Sequence, residues 1–111
     1  MEGVGASLTD SAAWLMKNKL DAIGQAALIN ELFGNSGANL NYVRLPLSAA
    51  DISTAFFTHD DIEYPGIDPK LQNFKLNPNF DYNIPILHEI RDANPNFRLL
   101  GSAWSAPGWV K

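Results

Sequence analysis

The fold is decided by residues 99–111, LLGSAWSAPGWVK. Leu99 and Leu100 have the character of a buried strand, and the chain then changes to small polar residues, two tryptophans and a proline. An apolar strand that ends in this way presents side chains at its carboxyl end, where parallel α/β folds bind ligands. Indole faces suit the apolar C–H face of a sugar ring. We therefore predict a ligand-binding role for Trp104, whereas Trp109 fits ordinary packing equally well.

Strand and helix patterns alternate along the chain. Strands are predicted at residues 3–8, at residues 40–47 and from Phe97, with helices between them at residues 12–16, 22–33 and 81–93. This alternation predicts an α/β fold with parallel strands and right-handed crossovers. Two architectures fit it: a small three-layer domain, or the opening portion of a (β/α)8 barrel, which needs about 250 residues. A glycine-rich phosphate loop is absent from the sequence, which disfavours nucleotide binding.

Helix ends and helix faces are predicted from the same patterns. Asp21 is the expected cap of the second helix, and the glycines at 34 and 37 are expected to end this helix with positive φ. For the third helix, Asp81 or Asn83 is the expected cap and Asn94-Pro95 the expected end. The expected apolar stripes are Ala22, Ala26, Ile29 and Phe33 on the second helix, and Ile84, Leu87 and Ile90 or Arg91 on the third.

Two charged residues stand near predicted strand ends. Asp10 lies within Thr9-Asp10-Ser11, a helix N-cap pattern, so capping is the favoured role for Asp10 over catalysis. Arg44 lies in an apolar strand, where a buried charge needs a partner. Its guanidinium either forms a structural ion pair or faces an active-site carboxylate, for which its planar donors are suited. Pro46 is expected to end the strand's hydrogen-bond ladder.

A long connection follows the second strand, over residues 48–80, and it mixes aromatic residues with carboxylates. Connections of this length inside a compact domain are usually functional. Asp60 and Asp61 are expected to form a solvated turn. His59 and His88 have no partner at metal-ligand spacing, so we expect no metal site and no cofactor.

The composition limits the classes of protein that fit. The chain has 111 residues, of which 46% are hydrophobic, which allows one modest core. The net charge of −4 is spread along the chain and includes no basic run, which argues against nucleic-acid binding. There is no cysteine for a disulfide or a thiol nucleophile. No stretch is apolar enough to span a membrane, no signal peptide is evident, and both ends suggest a fragment.

Four segments together resemble glycoside hydrolase family 30, the group that contains acid β-glucosidase and endo-β-1,6-glucanase. In order along the chain, they resemble the family's first-strand motif, its second-strand motif, the segment before its second helix and its third-strand motif. The segments are residues 5–12 (GASLTDSA), residues 40–47 with 50–53 (LNYVRLPL and ADIS), residues 71–76 (LQNFKL) and residues 99–111.

The resemblance implies a (β/α)8 TIM barrel with an attached β-sandwich. Residues 1–111 would be the amino-terminal portion of the barrel domain, with about three βα units; the later strands and the sandwich would be absent. Family members hydrolyse β-glycosidic bonds with retention, using one glutamate after strand four and another at the end of strand seven. Neither segment lies in this chain, so we assign no catalytic residue here and expect the isolated chain to be inactive.

The resemblance also implies roles for individual residues. Asp51 matches a residue that hydrogen-bonds the sugar in the −1 subsite, Trp104 matches one that lines this subsite, and Arg44 matches an arginine beside the catalytic carboxylates. Asp10 and Trp109 are supporting candidates with no assigned role. Without the resemblance, Asp10 and Asp51 would suggest the paired carboxylates of a glycosidase.

The implied substrate is a β-glucoside of the glucosylceramide or β-1,6-glucan type, that is, a carbohydrate or a glycolipid, and sphingolipid metabolism is one setting. The implied location is secreted or lysosomal. Ile52 stands where acid β-glucosidase has an aromatic residue, which disfavours a ceramide-linked substrate. The alternatives are a non-catalytic carbohydrate-binding or interaction module of the α/β class, and an unrelated small α/β domain.

Overall fold

The computed structural model describes residues 2–77 and 80–111. The strands are β1 (Gly5–Ser7), β2 (Tyr42–Leu47) and β3 (Arg98–Ala103), which form one sheet in the order β1-β2-β3. The helices are α1 (Asp10–Lys19), α2 (Ala22–Phe33) and α3 (Asn83–Ala93), with a 3₁₀ turn at Gly108–Val110. Both strand pairs are parallel, which confirms the predicted α/β class and strand direction.

The central strand, β2, carries the middle of the core. Val43 is 0% exposed and Leu45 is 4% exposed, while Tyr42 and Arg44 alternate with them on the other face. Each apolar side chain buried in this way stabilises the fold by about 1.5–3 kcal/mol relative to exposure. One cluster joins this face of β2 to the helices and consists of Leu8, Ala13, Met16, Ile29, Phe33, Val43, Leu45, Phe80, Ile86 and Ile90.

Short polar side chains start the first two helices. Thr9 caps α1, since its side chain accepts a hydrogen bond from the backbone N–H of Ala12 at 3.2 Å. Asp10 is the first residue inside the helix, so the predicted capping role belongs to its neighbour. Asp21 caps α2 as predicted, accepting from Gly24 N at 2.7 Å. Such caps contribute about 1 kcal/mol each.

Helix α2 buries a face that differs in part from the predicted one. Ile29 and Phe33 are buried as expected, but Gln25 occupies the position on that face where Ala26 was expected, and Ala26 is exposed. Gln25 lies on this face because its side-chain amide donates hydrogen bonds to the carboxylate of Glu89 on α3, at 2.6–2.7 Å. The glycines after this helix were expected to adopt positive φ, and none of those described does.

Helix α3 lacks the predicted cap at Asp81 or Asn83. The residue at its N-cap position is Tyr82, whose side chain makes no capping hydrogen bond. Asn83 instead points inward, and its Nδ2 donates to the carbonyl of Leu8 at 3.2 Å. This carbonyl is free because Pro46, at the position that would donate to it in a regular parallel ladder, has no N–H. Pro46 thus ends the ladder towards β1 as predicted, while pairing with β3 continues.

The inward Asn83 also sets the rotation of α3. The buried face is Asn83, Ile86 and Ile90, whereas the predicted stripe through Ile84 and Leu87 is only partly correct, since Ile84 is 36% exposed and Leu87 half-buried. The helix ends at Asn94-Pro95 as predicted. Over the described parts of the chain, the helices all fall short of the length and apolarity that crossing a bilayer requires.

The outer strands are more exposed than the sequence predicted. All of β1 is exposed, and Leu99 and Leu100 in β3 are 50% and 55% exposed. Among the described residues, each outer strand pairs with β2 on one side only. Apolar strand residues are therefore buried here only where helices and a neighbouring strand on each side enclose them.

Candidate functional site

The segments that follow β2 and β3 run side by side at the carboxyl edge of the sheet. Trp104 N donates to Leu47 O at 3.1 Å, and the Ser105 hydroxyl donates to Ala49 O at 2.7 Å. Ser48 has φ 72°, a left-handed conformation that turns the chain away from the strand direction. Two segments 50 residues and more apart in sequence thereby form one rim above the sheet.

Trp104 is the centre of this rim. Its ring is 42% exposed, and the Arg44 guanidinium carbon lies 4.4 Å from the ring centroid. Arg44 also approaches the hydroxyl of Ser102, with Nη2 to Oγ at 3.5 Å. Within the described residues Arg44 has no ion-pair partner, so the structural ion pair expected as one alternative is not found. A cation–π contact with the indole takes its place.

Asp51 lies at the N–H edge of the same indole. It is an exposed residue in the turn at residues 50–53, and its Oδ1 accepts from Trp104 Nε1 at 3.4 Å. Among the described residues, its second oxygen has no hydrogen-bond donor. The three residues that sequence reasoning selected, Arg44, Asp51 and Trp104, therefore come together around one aromatic ring.

Asp10 lies beneath this turn, away from the exposed ring. Its side chain is buried, at 6% exposure, and its Oδ1 accepts from the hydroxyl of Ser53 at 2.5 Å. Asp10 therefore hydrogen-bonds the segment that carries Asp51, and among the described residues no hydrogen bond or ion pair joins it to Arg44 or Trp104.

Trp109 also connects the two segments. Its Nε1 lies 3.2 Å from both the backbone oxygen and the Oδ2 of Asp60. Asp60 is 2% exposed, so the solvated turn predicted at this position is wrong for Asp60. The exposed Asp61 turns back instead, accepting from the backbone and hydroxyl of Thr58 at 2.7 and 2.6 Å.

His59 lies in an apolar surrounding and has a structural role. Burial lowers its pKa from the usual 6.5, although the charge of Asp61 opposes this effect. Its Nδ1 accepts from Asn77 N at 3.2 Å, which fits a neutral imidazole. Within residues 2–77 and 80–111, no group of three His, Cys, Asp or Glu side chains could hold a metal ion. The aromatic rings around His59, with centroids 5.2–6.1 Å from the imidazole centroid, are those of Phe57, Phe74 and Phe80.

Sequence reasoning missed three residues that shape the rim: Ser53, Asp60 and Ser105. Ser53 ends the turn at residues 50–53, where Asp and Ser are typical turn residues, so it could have been found. Asp60 and Ser105 had no such local signal, because their partners lie more than 45 residues away.

Comparisons with known proteins agree with the predicted family and with the observed fold. The sequence model of the glycosyl hydrolase family 30 TIM-barrel domain matches residues 1–111. The endo-1,6-beta-D-glucanase neg1 of Aspergillus fumigatus is 36% identical over 110 residues, which is 98% of this chain and 22% of that protein. Putative glucosylceramidase 1 of Caenorhabditis elegans is 29% identical over 112 residues, which is 100% of this chain and 21% of that protein.

Solved structures match as well. The endo-beta1,6-glucanase BT3312 has a TM-score of 0.87 and 28% identity, over 100% of this chain and 23% of that chain. SrfJ from Salmonella typhimurium has a TM-score of 0.81 and 23% identity, over 98% of this chain and 24% of that chain, and it supports the fold alone.

The fold and its rim define a parallel α/β protein with a candidate ligand site at the carboxyl edge of its sheet. The chain belongs to glycosyl hydrolase family 30, a family of O-glycosyl hydrolases, and forms part of a TIM-barrel domain. This confirms the resemblance seen in the sequence. The chain spans about a fifth of the length of the curated relatives it matches.

Proposed function

We propose that this chain supplies one wall of the sugar-binding subsite in a retaining β-glycosidase that acts on β-glucosides. Arg44, Asp51 and Trp104 bind the sugar, and two glutamates outside residues 1–111 perform the reaction. Membership of a glycosyl hydrolase family supports the reaction class. The meeting of three polar and aromatic side chains at the carboxyl edge of the sheet supports the location of the subsite.

The observation that carries this proposal is the environment of Trp104. Arg44 covers one face of the indole, with its guanidinium carbon 4.4 Å from the ring centroid, and this leaves the opposite face for the apolar side of a sugar ring. Asp51 accepts the indole N–H with Oδ1. Its Oδ2 is then free for a sugar hydroxyl, and hydrogen bonds to a carboxylate are about twice as strong as neutral ones.

The proposed mechanism has two steps. One glutamic acid protonates the glycosidic oxygen while the second glutamate attacks the anomeric carbon and forms a covalent glycosyl–enzyme. Water then hydrolyses this intermediate, with the first glutamate acting as base. Retention requires these two carboxyl groups to be about 5–5.5 Å apart. The positive charge of Arg44 favours the ionised form of a nearby nucleophilic carboxylate.

In the same proposal, residues 1–111 are the amino-terminal portion of a barrel domain that is completed by later strands and accompanied by a β-sandwich. Because both glutamates lie outside the chain, the isolated 111 residues do not hydrolyse glycosides. Turnover of a chromogenic β-glucoside by the purified chain would contradict this.

The proposed substrate is glucosylceramide or a β-1,6-glucan, after the names of the relatives. Ile52, next to Asp51, is 67% exposed and offers an aliphatic surface beside the sugar position. Comparing hydrolysis of glucosylceramide in mixed micelles with hydrolysis of a β-1,6-linked oligosaccharide distinguishes the two. We also propose an extracellular or lysosomal location, which fractionation of the source cells tests.

The central experiment compares Asp51→Asn with Asp92→Asn in the intact protein. Asp92 is an exposed carboxylate on α3, 3.6 Å from Arg91 and outside the rim, so it controls for loss of one negative charge. We expect Asp51→Asn to lower kcat/KM for a β-glucoside by roughly 10- to 100-fold, as for loss of one charged hydrogen bond. Asp92→Asn should leave it unchanged.

Two outcomes would contradict the proposal. An intact protein that binds β-glucosides without hydrolysing them would be a carbohydrate-binding module. Activity that is unaffected by both Asp51→Asn and Trp104→Ala would mean that the rim is structural only.

A further inference from the structure

We propose that Asp10 is a positioning residue for Asp51, an inference that rests on the proposed function. Asp10 is the first residue of α1, a position that normally faces water, yet it is 6% exposed. It does not cap the helix, because Thr9 does. Its carboxylate is therefore buried for a reason other than starting α1.

The partners of Asp10 lie 43 and 44 residues away, in the connection after β2. The Ser53 hydroxyl donates to Asp10 Oδ1 at 2.5 Å, and the backbone N–H of Thr54 approaches Oδ2 at 3.4 Å. The first distance is that of a short hydrogen bond from a hydroxyl to a carboxylate oxygen.

Ser53 closes the turn that carries Asp51. Its backbone N–H donates to Ala50 O at 3.0 Å, and Ala50 N donates to its hydroxyl oxygen at 2.8 Å. One hydroxyl therefore accepts a bond from within the turn and gives its only proton to Asp10. Asp51 and Ile52 are the two middle residues of this turn.

A second contact acts on the same turn. The Ser11 hydroxyl donates to the carbonyl oxygen of Ile52. Two successive residues at the start of α1 thus hold two successive residues of the turn, Ile52 and Ser53. Because α1 is itself packed into the core through Ala13 and Met16, the position of Asp51 is fixed relative to the sheet.

Removing the Asp10 carboxylate should therefore misalign Asp51 without removing any group that contacts the substrate. A displacement of about 1 Å at a binding group can lower the rate roughly 100-fold. Asp10→Ala frees the Ser53 hydroxyl and with it the Asp51 turn. Asp10→Asn keeps an oxygen acceptor for Ser53 and should largely preserve the turn.

The test is a double-mutant cycle in the intact protein, with kcat/KM for a β-glucoside as the readout. We expect Asp10→Ala to lower kcat/KM roughly 10- to 100-fold, Asp10→Asn at most a few-fold, and Asp10→Ala added to Asp51→Ala to have no further effect. Ser53→Ala removes the same bridge while leaving α1 intact, so it gives the result even if Asp10→Ala folds poorly. Asp21→Ala, which removes the cap of α2, controls for general helix destabilisation.

Several outcomes would overturn the inference. An additive loss in the cycle would show that Asp10 acts independently of Asp51, and an equal loss in Asp21→Ala would show a general stability effect. A wild-type protein with no glycosidase activity would defeat the proposed function alone. The inference would then be decided by crystal structures, where an unmoved Asp51 turn in both Asp10→Ala and Ser53→Ala overturns it.

Discussion

The helix side of the sheet and its carboxyl edge are held together by different interactions. On the helix side, Val43, Ile86 and Ile90 are 0% exposed and belong to one buried cluster of apolar side chains. At the carboxyl edge, Asp51 and Trp104 are exposed and are held by hydrogen bonds and a cation–π contact. The first region determines stability, and the second is the proposed ligand site.

This difference predicts which mutations should change stability and which should change ligand binding. Apolar packing is non-directional and depends on buried area. It is therefore sensitive to the volume of a side chain and less sensitive to the exact orientation of that side chain. Hydrogen-bonded rims depend on distance and angle, so small displacements matter more than volume. We therefore expect the two regions to respond independently to mutation.

The largest expected effect is on the helix side. Ile86→Ala should lower the free energy of unfolding by about 2–5 kcal/mol, because it opens a cavity in a site that is fully enclosed. Ile23→Ala, at a side chain 82% exposed on α2, is the matched control and should cost less than about 0.5 kcal/mol. Denaturant unfolding of the intact protein measures both. Ligand affinity of the folded fraction should not change; a change in affinity would show that the regions are coupled.

A smaller effect is expected at the carboxyl edge itself, at Trp109, which connects the segments after β2 and β3. Trp109→Phe keeps an aromatic ring but removes the donor to Asp60, leaving a buried carboxylate without that bond at a cost of about 1–3 kcal/mol. Unlike Ile86→Ala, it should also weaken β-glucoside binding, because the segment that carries Trp104 loses an anchor. Trp14→Phe is the control, since this half-buried ring lies in α1, outside the rim, and has the ammonium of Lys19 at 5.5 Å from its centroid. Equal effects of both changes on binding would refute the anchoring role.

The smallest effect concerns the polar contact between helices. Burial disfavours the charge of Glu89, but hydrogen bonds from Lys17 and Gln25 and the charge of Lys17 outweigh this and lower its pKa below the usual 4.5. Because the folded state holds the proton less tightly, the contribution to stability is present above pH 4.5 and is lost as the pH falls through the lower, folded-state pKa.

Glu89→Gln should therefore reduce stability near neutral pH by less than about 1 kcal/mol, as for a solvent-screened pair. The difference from wild type should shrink as the solution is acidified below pH 4.5. Thermal unfolding over this pH range measures it, and a difference that grows on acidification would refute the assignment. The exposed Asp92→Asn variant is expected to show no comparable pH dependence.

Much of the fold could be predicted from local sequence patterns. The extent of α2 and its cap at Asp21 follow from residues within four positions of one another, and the parallel sheet follows from the order of strands and helices. The helix faces were predicted less well. Gln25 is buried because of Glu89, 64 residues later, and Asn83 is inward because Pro46 leaves the Leu8 carbonyl free.

The candidate site was predicted in part for a similar reason. Arg44 and Trp104 were selected because each is unusual in its own segment, and Asp51 through the family resemblance. Asp60 was misjudged because its donor, Trp109, lies 49 residues away, and nothing local distinguishes a buried carboxylate from a solvated one.

The sequence by itself determined the parallel α/β class, the cap of α2 at Asp21 and the family of glycosyl hydrolases, since these depend on short-range patterns and on motifs in order. Only the tertiary structure decided that Arg44 pairs with an indole face instead of a carboxylate, and that Asp10 holds a turn 43 residues away. The physical reason is that the partner of a charge is set by whichever side chains the folded chain brings within a few ångströms. In this protein those side chains lie in segments more than 40 residues apart in the sequence.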